Sequence, residues 1–271
     1  MINAYDWLKT AVIRRQINRP DVEVYIISYP KCGRTWLRLL IGKAICDQYG
    51  LPPERMIDTY GITAVPGVLR AHFSHDFSSL KAGFPYNRLP SDKSEYANAK
   101  VIFITRNIKD VLVSSYFQAT KRIGKFQGSI SEFIRSERYG ARKIVAFYNL
   151  WHANQNVPQA FLHLRYEEMH ANPEAALKQV LQFMELQNFD DDLVRAAVEF
   201  SRFENMKKLE AQGFFQDNKM QPGQKEDAES FKVRKGVVGG YREYLSAADI
   251  AYVDGVVVEL GCPFIEMGSG E

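Results

Sequence analysis

The sequence predicts an α/β fold: a single domain over residues 1–271, with a central parallel β-sheet flanked by helices and a P-loop-like loop after the first strand. Two observations predict it. Short runs of β-branched and aromatic residues recur along the chain, and each leads into a stretch with apolar residues at helical spacing. That alternation builds a parallel sheet covered on both faces. The first run also ends in a short loop bearing a lysine and a glycine just before a helix, where parallel sheets hold anionic ligands.

Val22 to Ser28 reads as a short buried strand that stops at Tyr29-Pro30 and gives way to the loop Lys31-Cys32-Gly33-Arg34. Thr35 is placed to cap the next helix. Trp36, Leu39, Leu40 and Ala44 recur at helical spacing, with Lys43 as a snorkelling stem, as far as Tyr49, and Gly50, Pro52 and Pro53 end the helix. Val68 to His72 reads as a further strand with its polar residues at the end. Val101 to Thr105 is another strand, leading through Arg106-Asn107 into a helix over Lys109 to Phe117. Phe161 to Arg165 precedes a helix that starts at Pro173. From Glu185 on the chain reads as mainly helical, broken between Gly213 and Phe231 by a polar stretch that reads as a mobile loop. No internal repeat, low-complexity tract or interdomain linker stands out.

Composition narrows the function. With 46% apolar and 25% charged residues the chain lies in the ordinary globular range. A formal net charge of +3, from 35 Lys and Arg against 32 Asp and Glu, gives no overall field for nucleic acid or an anionic membrane. No apolar stretch approaches the roughly 20 residues of a membrane span, and Arg14-Arg15 interrupt the apolar N-terminus before a signal-peptide core forms. The reading is a cytoplasmic protein. Cys32, Cys46 and Cys262 lack CxxC spacing and suit a reducing compartment, and no metal site is suggested.

Between a strand and a helix N-terminus, Lys31, Gly33 and Thr35 form a physical anion trap, since free backbone N–H groups, the helix dipole and an ammonium point one way. The segment is neither a Walker A loop nor a GxGxxG fingerprint, neither of which occurs in the chain. Lys31, Arg106 and Tyr166 all follow strands and are expected to converge beyond the carboxyl ends of the sheet.

Here the sequence resembles the cytosolic-type sulfotransferases that use 3′-phosphoadenosine 5′-phosphosulfate (PAPS). Their phosphosulfate loop reads close to YPKSGTTW where this chain has Tyr29-Pro30-Lys31-Cys32-Gly33-Arg34-Thr35-Trp36. Their 3′-phosphate element, a pattern like RNxKDVxVS, stands here as Arg106-Asn107-Ile108-Lys109-Asp110-Val111-Leu112-Val113-Ser114. A third block, RKGxxGDWK in the family, stands as Arg234-Lys235-Gly236-Val237-Val238-Gly239-Gly240-Tyr241-Arg242. Arg165-Tyr166-Glu167-Glu168-Met169 resembles a RYEDM segment, and Ser201-Arg202-Phe203 with Met206 resembles TSFxxM.

The resemblance implies a P-loop-like phosphosulfate-binding loop and transfer of a sulfuryl group from PAPS to a small-molecule acceptor, a hydroxyl or an amine, releasing adenosine 3′,5′-bisphosphate. It implies that Lys31, Cys32, Gly33, Arg34, Thr35 and Trp36 hold the 5′ end and stack the base. Arg106, Ser114, Arg234, Lys235 and Gly236 hold the 3′-phosphate, and Tyr166, Ser201 and Phe203 close on the nucleoside. Lys31 and Ser114 count as catalytic beside His72, which resembles the histidine of a KTH segment at a strand's end and would take the acceptor proton. His75 is its nearby competitor. Planar arginines fork onto phosphate, and aromatic faces suit a purine. No metal is required.

Two other readings compete, a P-loop-type kinase of a small metabolite and a catalytically silent nucleotide-binding relative. The chain also departs from the family at Arg34, which replaces a hydroxyl residue, and at Gly240-Tyr241, which replaces Asp-Trp. The stretch after Arg242 keeps little of the segment by which many relatives pair, so both a monomer and a homodimer stay open. Loops 66–81, 121–128 and 213–231 are expected to line the acceptor pocket, and their aromatics Phe73, Phe77, Phe84, Phe126, Phe214 and Phe215 suggest a small lipophilic or polycyclic hydroxyl compound.

Overall fold

The computed structural model describes Thr10, Ala11, Arg14, residues 19–215, Phe231 and residues 236–264. Four parallel strands form one sheet in the order β2-β1-β3-β4, with β1 at Val24–Ser28, β2 at Ala71–Ser74, β3 at Lys100–Thr105 and β4 at Ala160–Arg165. Helices flank it. They are α1 Arg34–Tyr49, α2 Thr59–Ile62, α3 Ile108–Phe117, α4 Ile130–Arg135, α5 Ala141–Ala153, α6 Tyr166–Ala171, α7 Pro173–Phe183, α8 Asp191–Phe200, α9 Phe203–Gln212 and α10 Ala247–Leu260. None is long and apolar enough to cross a membrane.

The central strands carry the core. Every residue of β1 is buried, as are Val101 to Thr105 of β3, the signature of strands covered on both faces. Each fully buried aliphatic or aromatic side chain there contributes about 1.5–3 kcal/mol. On β3, Phe103 stacks on Trp151 of α5 with ring centroids 5.6 Å apart, which fixes that helix against the sheet.

The strand order places a topological switch between β1 and β3, because the chain leaves β1 toward β2 on one side and returns to β3 on the other. Two loops open there. The first runs from β1 into α1, whose N-cap is Gly33 at φ 91°, a backbone value that favours glycine. Thr35 therefore lies inside the helix and does not cap it, a correction to the sequence reading, because the chain turns two residues earlier. The second loop carries Arg106 and enters α3, where the Asn107 side chain accepts from the N–H groups of Lys109 and Asp110.

β2 also begins later than its residues suggested. Its register with β1 runs from Val24 opposite Ala71 to Ile27 opposite Ser74. Leu69 instead donates to Met184 at 2.9 Å, and the Arg70 carbonyl accepts from Glu23 and Val24. The polar end of the strand is thus Ser74-His75, and His72 lies within it.

Candidate active site

A cavity of about 720 Å³ opens at the carboxyl ends of the strands. The loop after β1 lines it with Lys31, Gly33, Arg34, Thr35 and Trp36, and the β3 side adds Arg106 and Ser114. Tyr166, Ser201, Phe203 and Gly236, also predicted from the sequence, line its walls. Residues more than 200 positions apart in the chain thus share one cavity.

Arg106 is the brace of this assembly. Its Nη1 donates to the Lys31 carbonyl at 3.1 Å, its Nη2 to the Val237 carbonyl at 3.1 Å, and its guanidinium lies 4.2 Å from the Tyr166 ring centroid. Its Nε is buried without a partner. Two other lining residues carry buried polar atoms without partners, Ser201 at Oγ and Gln118 at Oε1. Leaving such groups unpaired is costly, and a polar ligand in the cavity would satisfy them.

The walls leave room only for glycine at two points. A Cβ on Gly33 would lie 2.5 Å from Tyr166 Cδ2, and one on Gly236 would lie 2.5 Å from Phe203 Cδ2. Both glycines hold positive φ as well, at 91° and 65°. Tyr166 meets Trp36 edge to face at 6.0 Å, giving an aromatic corner beside the loop. Burial raises the Tyr166 phenol above its ordinary range, so it stands as a neutral hydroxyl.

Two expected side chains do not face the cavity. Cys32 is fully buried, with its Sγ 3.4 Å from the Tyr148 hydroxyl, and burial pushes its thiol up to about 12. Its side chain is a core element, and only its backbone belongs to the loop. His72 packs edge-on against Tyr25 at 6.4 Å and Tyr60 at 6.2 Å and lies outside the lining. Alternation along β2 turns it into the Tyr25 layer.

His75, just past the strand, lines the cavity instead. Its Nδ1 lies 3.0 Å from the Ser28 carbonyl oxygen, an acceptor, so Nδ1 carries the proton and Nε2 the lone pair. Nε2 lies 2.7 Å from Arg34 Nη2. The turn behind His75 is held by a buried network. Asp76, at φ 41°, pairs with Lys93 at 2.7 Å and accepts from Trp151 Nε1 at 2.8 Å and the Tyr96 hydroxyl at 3.0 Å. A fully hydrogen-bonded buried pair fixes geometry more than it adds stability.

Sequence reasoning also missed Asp110. Its buried carboxylate accepts from the backbone N–H groups of Gly239 at 2.8 Å and Tyr241 at 3.0 Å, tying the C-terminal block to α3. The signal was present, since Asp110, Ser114 and Gln118 repeat at intervals of four and share one helical face. Arg234, Lys235 and positions 216–230 of the expected mobile loop lie outside the described residues.

The six aromatics expected around the acceptor do not line the cavity. Phe73, Phe77, Phe84 and Phe215 are core residues, and Phe126 packs on Phe133 at 5.1 Å. The lining also includes Ser79, Leu80, Lys81, Gln118 and Ile123, a mixture of polar and apolar side chains.

Comparison with known proteins identifies the family and the fold. The sulfotransferase domain family matches residues 21–260. The flavonol 3-sulfotransferase of Flaveria bidentis is 24% identical over 260 residues, covering 88% of this chain and 81% of that protein. Cytosolic sulfotransferase 17 of Arabidopsis thaliana is 28% identical over 262 residues, covering 89% and 74%. A mouse sulfotransferase crystallised with PAP superposes with a TM-score of 0.62 at 21% identity, covering 89% of this chain and 84% of that one.

Proposed function

The chain belongs to the sulfotransferase domain family, and from that premise we propose that it transfers the sulfuryl group of PAPS to a small-molecule hydroxyl or amine, with His75 as the base. The observation that carries the reading is the meeting of Lys31, Arg106 and His75 around one cavity at the switch point of the sheet. The whole chain is read as one such domain. Relatives named cytosolic support a cytoplasmic place of action.

The residues fit the nucleotide by their chemistry. Lys31, Arg34, Thr35 and the backbone N–H groups opening α1 face the 5′ end. Arg106 and Ser114 take the 3′-phosphate, for which the unpartnered Arg106 Nε is a spare donor. Trp36, Tyr166, Phe203 and the unpartnered Ser201 hydroxyl suit the nucleoside. Arg234 and Lys235 join the 3′-phosphate set by resemblance.

In the reaction the acceptor oxygen or nitrogen forms a bond to sulfur as the bond from sulfur to the bridging oxygen breaks, and that electron pair leaves with the 5′-phosphate. The acceptor proton passes to a base. His75 has the required form, because its Nδ1–H is spent on Ser28, which leaves Nε2, in contact with Arg34 in this structure, as the nitrogen that can take a proton. Lys31 supplies positive charge where the leaving oxygen gains negative charge, so its effect grows toward the transition state.

The test is direct. Adenosine 3′,5′-bisphosphate at about a hundred times its Kd should stabilise the protein by about 2.7 kcal/mol without magnesium, and magnesium ATP should not. Incubation with PAPS and a panel of hydroxyl and amine acceptors, followed by mass spectrometry, should give a product one sulfuryl group heavier. Stabilisation by magnesium ATP with phosphoryl transfer would assign the chain to the kinases. Nucleotide binding without turnover on any acceptor would assign it to the silent relatives.

A further inference from the structure

At the base, Arg34 stands where the family's loop resemblance calls for a hydroxyl residue, and it has an unusual electrostatic position. It is the first residue of α1, at the positive end of the helix dipole, and no acidic residue occupies that first turn. Among the described residues no carboxylate pairs with it. Its contacts are His75 Nε2 at 2.7 Å and the Phe73 ring, whose centroid lies 5.9 Å from its Cζ. One turn on, the buried Arg38 guanidinium lies 4.2 Å from the centroid of the same ring. Burial, and after it the Arg38 cation, hold the Arg34 guanidinium below its ordinary range. A cation so placed gains more from an anion than from an imidazole lone pair.

We propose that Arg34 is a movable cap on His75: it holds the imidazole nitrogen that must take the acceptor's proton, and it gives that nitrogen up when an anion binds at the N-terminus of α1. The inference rests on the sulfotransferase reading above, since the phosphosulfate end of the cofactor supplies the anion. While Nε2 accepts from the guanidinium, its lone pair cannot take a proton. Once Arg34 turns to the anion, Nε2 faces the cavity with Nδ1–H still donating to Ser28. Cofactor binding then precedes proton abstraction, and the base is armed only when the phosphate end of a nucleotide occupies the loop. The charged residues that line the same cavity include Lys31 on the loop, Lys81 after β2, Arg106 after β3 and Asp110 on α3. Asp76 faces the other way, spent on Lys93, Tyr96 and Trp151.

The experiment is a titration of the His75 ring by nitrogen NMR on the full chain, assigned with His75→Gln. In the protein alone, Arg34→Thr should raise the His75 midpoint by about one pH unit or more, since a cation within about 4–6 Å disfavours imidazolium by that order. Arg34→Gln, which keeps a donor but no charge, should raise it too and guards against a folding defect in the first variant. Adding adenosine 3′,5′-bisphosphate should shift the Nε2 resonance in the wild type and shift it far less in either variant. The cap is overturned if neither variant moves the midpoint, or if the bisphosphate binds the wild type and leaves Nε2 unchanged. Failure of the bisphosphate to bind would overturn the nucleotide site and the release step with it. That outcome is distinct, because the comparison in the protein alone needs no nucleotide.

Discussion

The guanidinium of Arg106 donates to the carbonyl oxygen of Lys31 at 3.1 Å, so the loop after β3 is tied to the loop after β1 across the switch point. The two basic residues share one scaffold but face different ends of the proposed nucleotide. Their substitutions should therefore separate. Arg106→Ala removes charge-assisted hydrogen bonds worth about 1.5–3 kcal/mol and should weaken adenosine 3′,5′-bisphosphate roughly ten- to hundredfold by calorimetry. Lys31→Ala should act mainly on kcat, because the charge it faces grows as the sulfur–oxygen bond breaks. An unchanged PAPS KM in Arg106→Ala would refute this placement of the 3′-phosphate.

The two histidines of β2 and its end should behave oppositely. His75→Ala is expected to lower kcat by about 10²- to 10⁴-fold with little change in nucleotide affinity, the usual contribution of a positioned base. His72→Ala should cost some stability through lost packing against Tyr25 and Tyr60 and leave kcat within a few-fold. With an acceptor whose hydroxyl is strongly acidic, the loss in His75→Ala should shrink. An undiminished loss would make His75 a positioning residue.

Asp110 should matter to the cofactor through the loop it anchors. Asp110→Asn keeps one acceptor oxygen but sets an amide donor against a backbone N–H of Gly239 or Tyr241, a cost of about 1–3 kcal/mol. The loop bearing Gly236 loses its anchor, so the PAPS KM should rise with kcat nearly preserved. Equal falls in kcat and kcat/KM would place Asp110 in the chemistry instead.

Lys143 on α5 gives a stability test independent of the site. It is fully buried and its Nζ has no hydrogen-bond partner. Burial, and after it the Arg138 cation, push its ammonium down from 10.5 to about 7. With the folded value below the unfolded one, the unfolded chain binds more protons between those two pH values. The penalty of burying the charge is thus full below about pH 7 and is lost as pH rises toward 10.5. Lys143→Met should raise stability near pH 7 by roughly 1–4 kcal/mol, as apolar replacement of a buried ion often does, and the gain should fade by pH 10. A gain independent of pH, measured by urea unfolding, would mean the lysine is charged throughout.

Much of this protein was legible in the sequence by itself. Local periodicity fixed the order of strands and helices, because apolar spacing is written residue by residue and the backbone can answer it only with a strand or a helix. The glycine and lysine of the first loop announced an anion site for the same local reason, and Arg106 announced its partner by standing before a helix. Only the tertiary structure put His75, and not His72, in the lining of the cavity. Their difference is where β2 begins, and that is set by pairing with Val24 to Ile27, since a shift of one residue turns every side chain to the other face. Tertiary packing likewise made Arg34 a neighbour of His75 across 41 positions and bound Asp110 to Gly239 across 129. Such contacts join segments whose local preferences are satisfied separately, so their partners are decided by how the helices close on the sheet.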